Sequence, residues 1–349
     1  MEFRRRRAAP KLRGARIQRL MGNGLYPRGQ VPVELEPVRI PVFAAPPRRR
    51  VLLPVALFLF TVVSTLFVGL HLGVAFHYGY PPYTQSMYSP EVFDAIFTNP
   101  MVLLAGWPFA ATLLGILLAH ELGHYFTCRY YGIRASLPYF IPAPTLIGTM
   151  GAFIRIQSPI LNRRALFDIG ISGPLVGFVL AVPALAIGLA HSKVLPGVHE
   201  QSQILFGNPL LVWLFLQWLH PGVPASNILM HPMAHAAWVG LFATMLNLLP
   251  VGQLDGGHVV YALAAEKHRR VSRLFTLSLL LAGLLGSYYP QVFWQGWFIW
   301  GILLMFLGVR HPSVLDPGEG LDARRRWVAV VGLVVFLLCF HPAPIYIPH

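Results

Sequence analysis

The chain has 349 residues, of which 55% are hydrophobic and only 11% charged, and its formal net charge is +14. Apolar runs near or beyond the ~18–20 residues that cross a bilayer recur along it, which excludes an ordinary soluble domain and makes it a polytopic membrane protein. Two cysteines, Cys128 and Cys339, are too few for a disulfide framework.

In chain order, residues 1–50 hold thirteen Lys and Arg among prolines and glycines, a composition that predicts a mobile basic arm without a signal-peptide layout. A first transmembrane helix is predicted from Val51 to about Phe76. Residues 77–99 are rich in Tyr and Pro and contain no Lys or Arg, as an interfacial segment on the far side would be. A second helix runs from about Met101 to Tyr131. Residues 134–158 are broken by three prolines, with a fourth following at Pro159, and include a β-favouring stretch, Ile147 to Ile156, so they read as a re-entrant or membrane-edge strand segment. A third helix covers about Ala165 to Ala190. The outer connection, residues 191–230, contains one short apolar run, PLLVWLFLQWL, suited to an interfacial helix. The fourth span runs from about Met233 to Leu249 and breaks at Pro250 and Gly252. Accessory spans follow within 271–349, at about Leu274–Tyr289, Phe293–Val309 and Trp327–Phe340.

The positions of the basic residues set the orientation. Thirteen lie in the arm, five in 129–164, four in 266–273 and four in 310–326, leaving only Lys193 on the other side. This alternation predicts about seven spans with the N-terminus in the cytoplasm. It also explains the charge as topology plus attraction to anionic lipid, so no nucleic-acid partner is expected.

Within the second predicted helix stands LLAHELGHYF, residues 117–126. Ionisable groups at bilayer depth cost at least ~2.5–3.5 kcal/mol, so a chain that keeps them there uses them. His120 and His124, at i and i+4, share one helix face and can reach one zinc ion, with Glu121 beside them as a base for the attacking water. HExxH alone occurs by chance. Depth makes it specific here: His120 is about eleven residues, or ~16 Å, below the cytoplasmic end of its helix.

Catalytic zinc usually takes three protein ligands. Position 130 is Tyr and no acid occurs between Glu121 and Asp168, so both soluble spacings for the third ligand are absent. Asp168 would lie only ~5 Å deep, whereas Asp255, if helical, lies ~16 Å from the cytoplasmic basic cluster and matches His120. Asp255 is therefore the expected third ligand. Asp168 is expected to be structural, near its helix N-terminus, paired with Arg163 or Arg164. Cys128 is ~12 Å along the helix from His120, too far to share its ion. His231 and His235 repeat the spacing without an acid, and His258 stands one helical turn past Asp255.

HELGH followed far downstream by NLLPVGQLDGGH (Asn247 to His258) resembles the site-2 protease family of intramembrane zinc metalloproteases. DIGISGPLVGF resembles that family's Gly-Pro middle core helix, GTMGAFIRI its membrane-edge strand, and the ending from RHPSVLD to the last helix a branch of chloroplast and bacterial members without a PDZ domain. Gly252 departs from the family, standing where many relatives have a second proline. The resemblance implies a three-helix catalytic core over residues 101–270, one zinc ion per chain, and Asn247 hydrogen-bonded to substrate backbone or oxyanion. It implies that Gly148, Thr149, Met150, Gly151, Ala152 and Phe153 pair with an extended substrate. The fold expected is all-α and polytopic, with a small membrane-edge β segment. The partners are membrane-protein substrates and the bilayer. The location is the plasma (inner) membrane, or a chloroplast membrane in a plant. A metal or proton transporter using the same intramembrane His, Glu and Asp is the alternative from another class. Substrate identity, trigger and oligomeric state are not written in these motifs.

Overall fold

In the computed structural model, residues 51–82, 90–200, 202–308, 314–316, 318 and 320–347 are described. The basic arm expected over residues 1–50 lies outside them. Helix α1, Leu52–Tyr78, ends where Gly79 takes a φ of +77° and its N–H reaches the Ala75 carbonyl at 2.9 Å, a left-handed cap suited to glycine. A short helix α2, Pro90–Thr98, follows in the far-side segment.

The second helix departs from expectation in its first turns. Residues Pro100–Gly106 form a 3₁₀ helix, and only at Trp107 does the α-helix α3, Trp107–Tyr130, begin. Pro108 supplies the reason, since it has no N–H to donate and its ring crowds the carbonyl four residues back. Gly106 also presses directly on α1: a Cβ there would overlap the Leu66 carbonyl and lie 2.6 Å from the Leu70 nitrogen. Together Pro100–Tyr130 make 31 residues, and with Leu52–Tyr78 (27) and Arg163–Ala190 (28) they are the three described helices long and apolar enough to cross a membrane.

Residues 134–158 are a hairpin rather than a single edge strand. Strand β1, Tyr139–Pro142, pairs antiparallel with β2, Thr149–Phe153, in the register Tyr139 to Phe153, Phe140 to Ala152 and Pro142 to Thr149. One edge of the expected substrate strand is thus already occupied. Its other edge has no strand partner among the described residues.

Helix α4, Arg163–Ala190, starts where the Asn162 side chain accepts the Ala165 N–H at 2.9 Å, a standard N-cap. The outer connection holds the short helix α5, Leu210–Leu219, in the apolar run named above. Two small strand pairs organise it: β3 (Lys193–Val194) with β5 (Ile228–Leu229), and β4 (Leu205–Phe206) with β6 (Ile345–Tyr346) near the C-terminus. Helix α6, Pro232–Asn247, is followed after a break by α7, Asp255–Leu263, then α8, Ala265–Gly286, α9, Gly296–Leu307, and α10, Ala323–Cys339.

Helices α3, α4 and α6 pack on one another, α7 packs on α4, and α1 covers α3 and the hairpin. Their contact is built from Phe109, Leu113 and Ile116, Leu185 and Leu189, and Trp238, Leu241 and Met245, all buried. Small residues let the backbones approach. A Cβ on Gly188 would meet the Ala234 Cα at 2.7 Å, and one on Gly240 the Ile116 side chain at 2.8 Å. Large apolar side chains such as Leu52, Phe60, Val179 and Leu277 remain exposed on the outside, as on a surface that meets lipid rather than water.

Candidate metal centre

The HELGH segment lies in the middle of α3, where the helical period puts His120 and His124 one turn apart on the face towards α4. His120, Glu121 and His124 are buried, at 5%, 5% and 7% exposure in an otherwise apolar layer, a degree of burial that ionisable groups accept only with partners. His124 Nδ1 lies 2.7 Å from the Ile169 carbonyl of α4. A carbonyl can only accept, so Nδ1 carries the proton and the Nε2 lone pair is turned inward.

The third group arrives through a break in the fourth span. Past Asn247, the last residue of α6, Pro250 cannot donate a helical hydrogen bond and Gly252 adopts a φ of +55°, so the chain loops and restarts as α7 at Asp255. The two glycines after Asp255 make that restart possible. A Cβ on Gly256 would overlap the Leu248 carbonyl, and one on Gly257 would overlap that of Gly252. Ser272 of α8 ties the loop down, accepting the Gly252 N–H at 3.3 Å and donating to the Pro250 carbonyl at 3.4 Å. Asp255 is therefore the first residue of a helix, where the exposed N–H dipoles favour a carboxylate.

The three groups converge. His120 Nε2 is 3.2 Å and His124 Nε2 3.3 Å from Asp255 Oδ2, and the two imidazole nitrogens are 3.1 Å apart. Among the described residues this is the one group of three or more His, Cys, Asp or Glu close enough to hold a metal ion. Ligands about 2.0–2.1 Å from a tetrahedral zinc stand about 3.3 Å from one another, so the donor set and its spacing fit that ion. Three inward-facing acceptors in a buried layer also repel one another unless a cation lies between them.

Other sequence-derived candidates fall into place around this centre. Glu121 accepts a hydrogen bond from the Ile154 N–H, just past the end of β2, which sets the hairpin beside it. Asn247 Nδ2 lies 3.3 Å from His120 Nε2. Cys128 is buried with Ile133, Ala165 and Ile169, away from the ligand atoms. His231 caps α6 by accepting the Met233 N–H at 3.2 Å, and His258 packs along Gly170 of α4.

Asp168 has different partners from those expected. Arg325 of α10, not Arg163 or Arg164, grips it, with Nε 2.9 Å from Oδ1 and Nη2 2.6 Å from Oδ2, while Tyr131 also donates to it. A planar guanidinium matching both carboxylate oxygens outcompetes a neighbour on the same helix, and Arg164 instead acts on Asp322.

The glycines of α4 have a function that their pattern alone does not reveal. Gly170, Gly173 and Gly177 share a face, and the site depends on their lacking side chains. A Cβ on Gly173 would overlap the His124 ring, and one on Gly177 would stand 3.2 Å from the His120 Cβ. Gly173→Ala is therefore expected to push His124 out of line and lower zinc affinity by at least about tenfold, the lower end for disturbed ligand orientation. Metal content of the purified variant, with helix content as control, checks this.

Comparison with known proteins agrees with this geometry. The model for peptidase family M50 matches residues 108–285, which contain all three converging groups. "Probable zinc metalloprotease EGY1, chloroplastic" of Arabidopsis thaliana is 33% identical over 307 residues, 83% of this chain and 52% of that protein. Its namesake from Oryza sativa subsp. japonica is 32% identical over 66% of this chain and 41% of its own length. "Probable zinc metalloprotease EGY2, chloroplastic" of Oryza sativa subsp. indica is 31% identical over 71% of this chain and 45% of its own. The chain spans about half the length of these relatives.

Proposed function

Because the chain belongs to peptidase family M50, we propose that it is an intramembrane zinc metalloprotease that hydrolyses a peptide bond in or next to the transmembrane segment of a membrane-protein substrate. The observation that carries this reading is the buried convergence of His120, His124 and Asp255, with Glu121 next to a ligand and against the hairpin. Zinc held by these three residues would supply a Lewis acid that lowers the pKa of water to about 7 and polarises a carbonyl. Glu121 takes the proton of the attacking water and passes it to the leaving nitrogen, so the C–N bond breaks with a neutral amine as product. Asn247, at the end of α6, offers an amide to the substrate backbone or to the developing oxyanion.

A helical substrate hides its backbone in its own hydrogen bonds and must be held extended to be cut. The edge of β2 not taken by β1, at Thr149, Met150, Gly151, Ala152 and Phe153, supports this role by strand addition, whereas Gly148 precedes the strand and packs on α1, its carbonyl accepting the Ser64 hydroxyl at 2.6 Å. The Gly151 N–H, accepted at 3.0 Å by the Thr149 hydroxyl, is tied to the β1 side, because that hydroxyl donates to the Ile141 carbonyl at 2.9 Å.

The seven-span arrangement, with a cytoplasmic N-terminus, a core over 101–270 and accessory spans in 271–349, is part of the same proposal. α6, α9 and α10 have 16, 12 and 17 residues, fewer than the ~20 that span hydrocarbon alone, so each needs its flanking loop to complete a crossing. The membrane proposed is the plasma or inner membrane, or that of the chloroplast if the source is a plant, as the names of the relatives suggest. A metal or proton transporter needs ionisable groups at several depths along a path, whereas one cluster dominates the described residues.

The test is cleavage of a model single-span protein by the purified chain in lipid. Cleavage should stop on chelation and return with zinc. Zinc flux into sealed vesicles without any cleavage would overturn the protease reading in favour of transport.

A further inference from the structure

The last helix lies outside the ligand-bearing core, yet its N-terminus reaches the residue next to the one that orients His124. Arg325 binds both oxygens of Asp168, and its Nη2 is 3.2 Å from the Tyr131 hydroxyl. Its Nη1 is paired with Asp322, whose side chain also caps α10 by accepting the Arg325 N–H at 2.9 Å. One guanidinium therefore joins the C-terminal end of α3, which carries HELGH, the first turns of α4, and α10 itself. The chain just before α10 adds to the grip: the Leu315 N–H donates to the Ile160 carbonyl at 3.2 Å and the Asp316 N–H to that of Leu161 at 2.8 Å.

Asp168 immediately precedes Ile169, whose carbonyl receives His124 Nδ1–H at 2.7 Å. The same carbonyl also accepts the Ser172 hydroxyl at 3.0 Å. Pro174 has no N–H to give the Gly170 carbonyl, so α4 is weakened just past Ile169, and the turn before it is held by the packing of Ala165, Phe167 and Ile169 together with the Asp168 contact. Tilting that turn would carry the Ile169 carbonyl away from the imidazole, and with it the constraint on which nitrogen faces inward.

We propose that Arg325 is a positioning residue for the metal centre: by clamping Asp168 and Tyr131 it fixes the Ile169 carbonyl, and through it His124 Nε2, in the orientation that binds zinc. This rests on the zinc-site reading above. The accessory C-terminal region is then part of the metal-binding apparatus, not only a membrane anchor. Both partners are a quarter exposed, so the contact is partly screened, and its value lies in geometry more than in raw attraction.

The experiment uses the full chain in detergent or lipid, titrated with zinc against a competing chelator and with Co2+ as a visible-spectrum probe. Arg325→Lys keeps the charge but loses the planar fork. It is expected to weaken zinc binding about tenfold and to change the Co2+ spectrum, with unchanged helix content. Arg325→Ala should do so more strongly, and combining Arg325→Ala with Asp168→Asn should add little, because both act through one contact. If Arg325→Ala does not fold, Arg325→Lys carries the test. Wild-type zinc affinity and Co2+ spectrum in Arg325→Lys, even with a lowered Tm, would reduce Arg325 to a strut for α10 and overturn the proposal alone. A wild-type chain that binds no zinc would overturn both this proposal and the reading on which it rests.

Discussion

Glu121→Gln should abolish peptide-bond hydrolysis while zinc content stays at the wild-type level. Gln is the same size and its amide oxygen can still accept the Ile154 N–H that Glu121 accepts, so the hairpin contact and the fold are preserved. What disappears is the carboxylate beside the ligands that is proposed to take a proton from water. A positioned general base is worth about 10²–10⁴-fold in rate, and the loss should appear in turnover of a single-span substrate with little change in its binding. Cleavage that survives the substitution would remove Glu121 as the base.

Asp255→Ala should instead remove the metal. It takes away the anionic member of a three-residue set and leaves two imidazoles facing each other 3.1 Å apart. Loss of a partner that merely orients a ligand costs about 10–100-fold in metal affinity, and loss of the ligand itself should exceed that range. The measurement is zinc per chain after dialysis against a weak chelator, with Asp255→Asn to separate charge from shape. Full zinc retention in Asp255→Ala would exclude Asp255 as a ligand. Paired with Glu121→Gln, this variant separates metal binding from proton transfer.

Much of the centre was legible because a bilayer punishes buried charge. His120, Glu121 and His124 stood out in an apolar run, and the absence of an acid or histidine at the soluble spacings directed the search to Asp255. The depth argument counted Asp255 to the basic cluster as one helix, which the structure interrupts at Ala264 between α7 and α8, while the break expected at Pro250 and Gly252 is present and Gly256 and Gly257 let α7 restart against the loop. The partner of Asp168 was illegible for a simple reason: the 157 residues separating it from Arg325 leave no periodicity to read. Gly170, Gly173 and Gly177 could be seen as one helix face, but not as room for two imidazole rings. The β-favouring stretch was visible from composition, whereas its pairing with Tyr139–Pro142 required a turn among prolines that local propensity does not specify.

The sequence by itself determined the membrane setting, the three groups that converge and the glutamate beside them, because hydropathy, helical period and the cost of buried charge are local properties of the chain. Tertiary structure alone decided which carbonyl holds His124, which edge of the hairpin remains open and which helix clamps Asp168. Those outcomes depend on how distant backbones approach, and close approach is set by the shapes of packed surfaces rather than by any spacing along one strand of sequence.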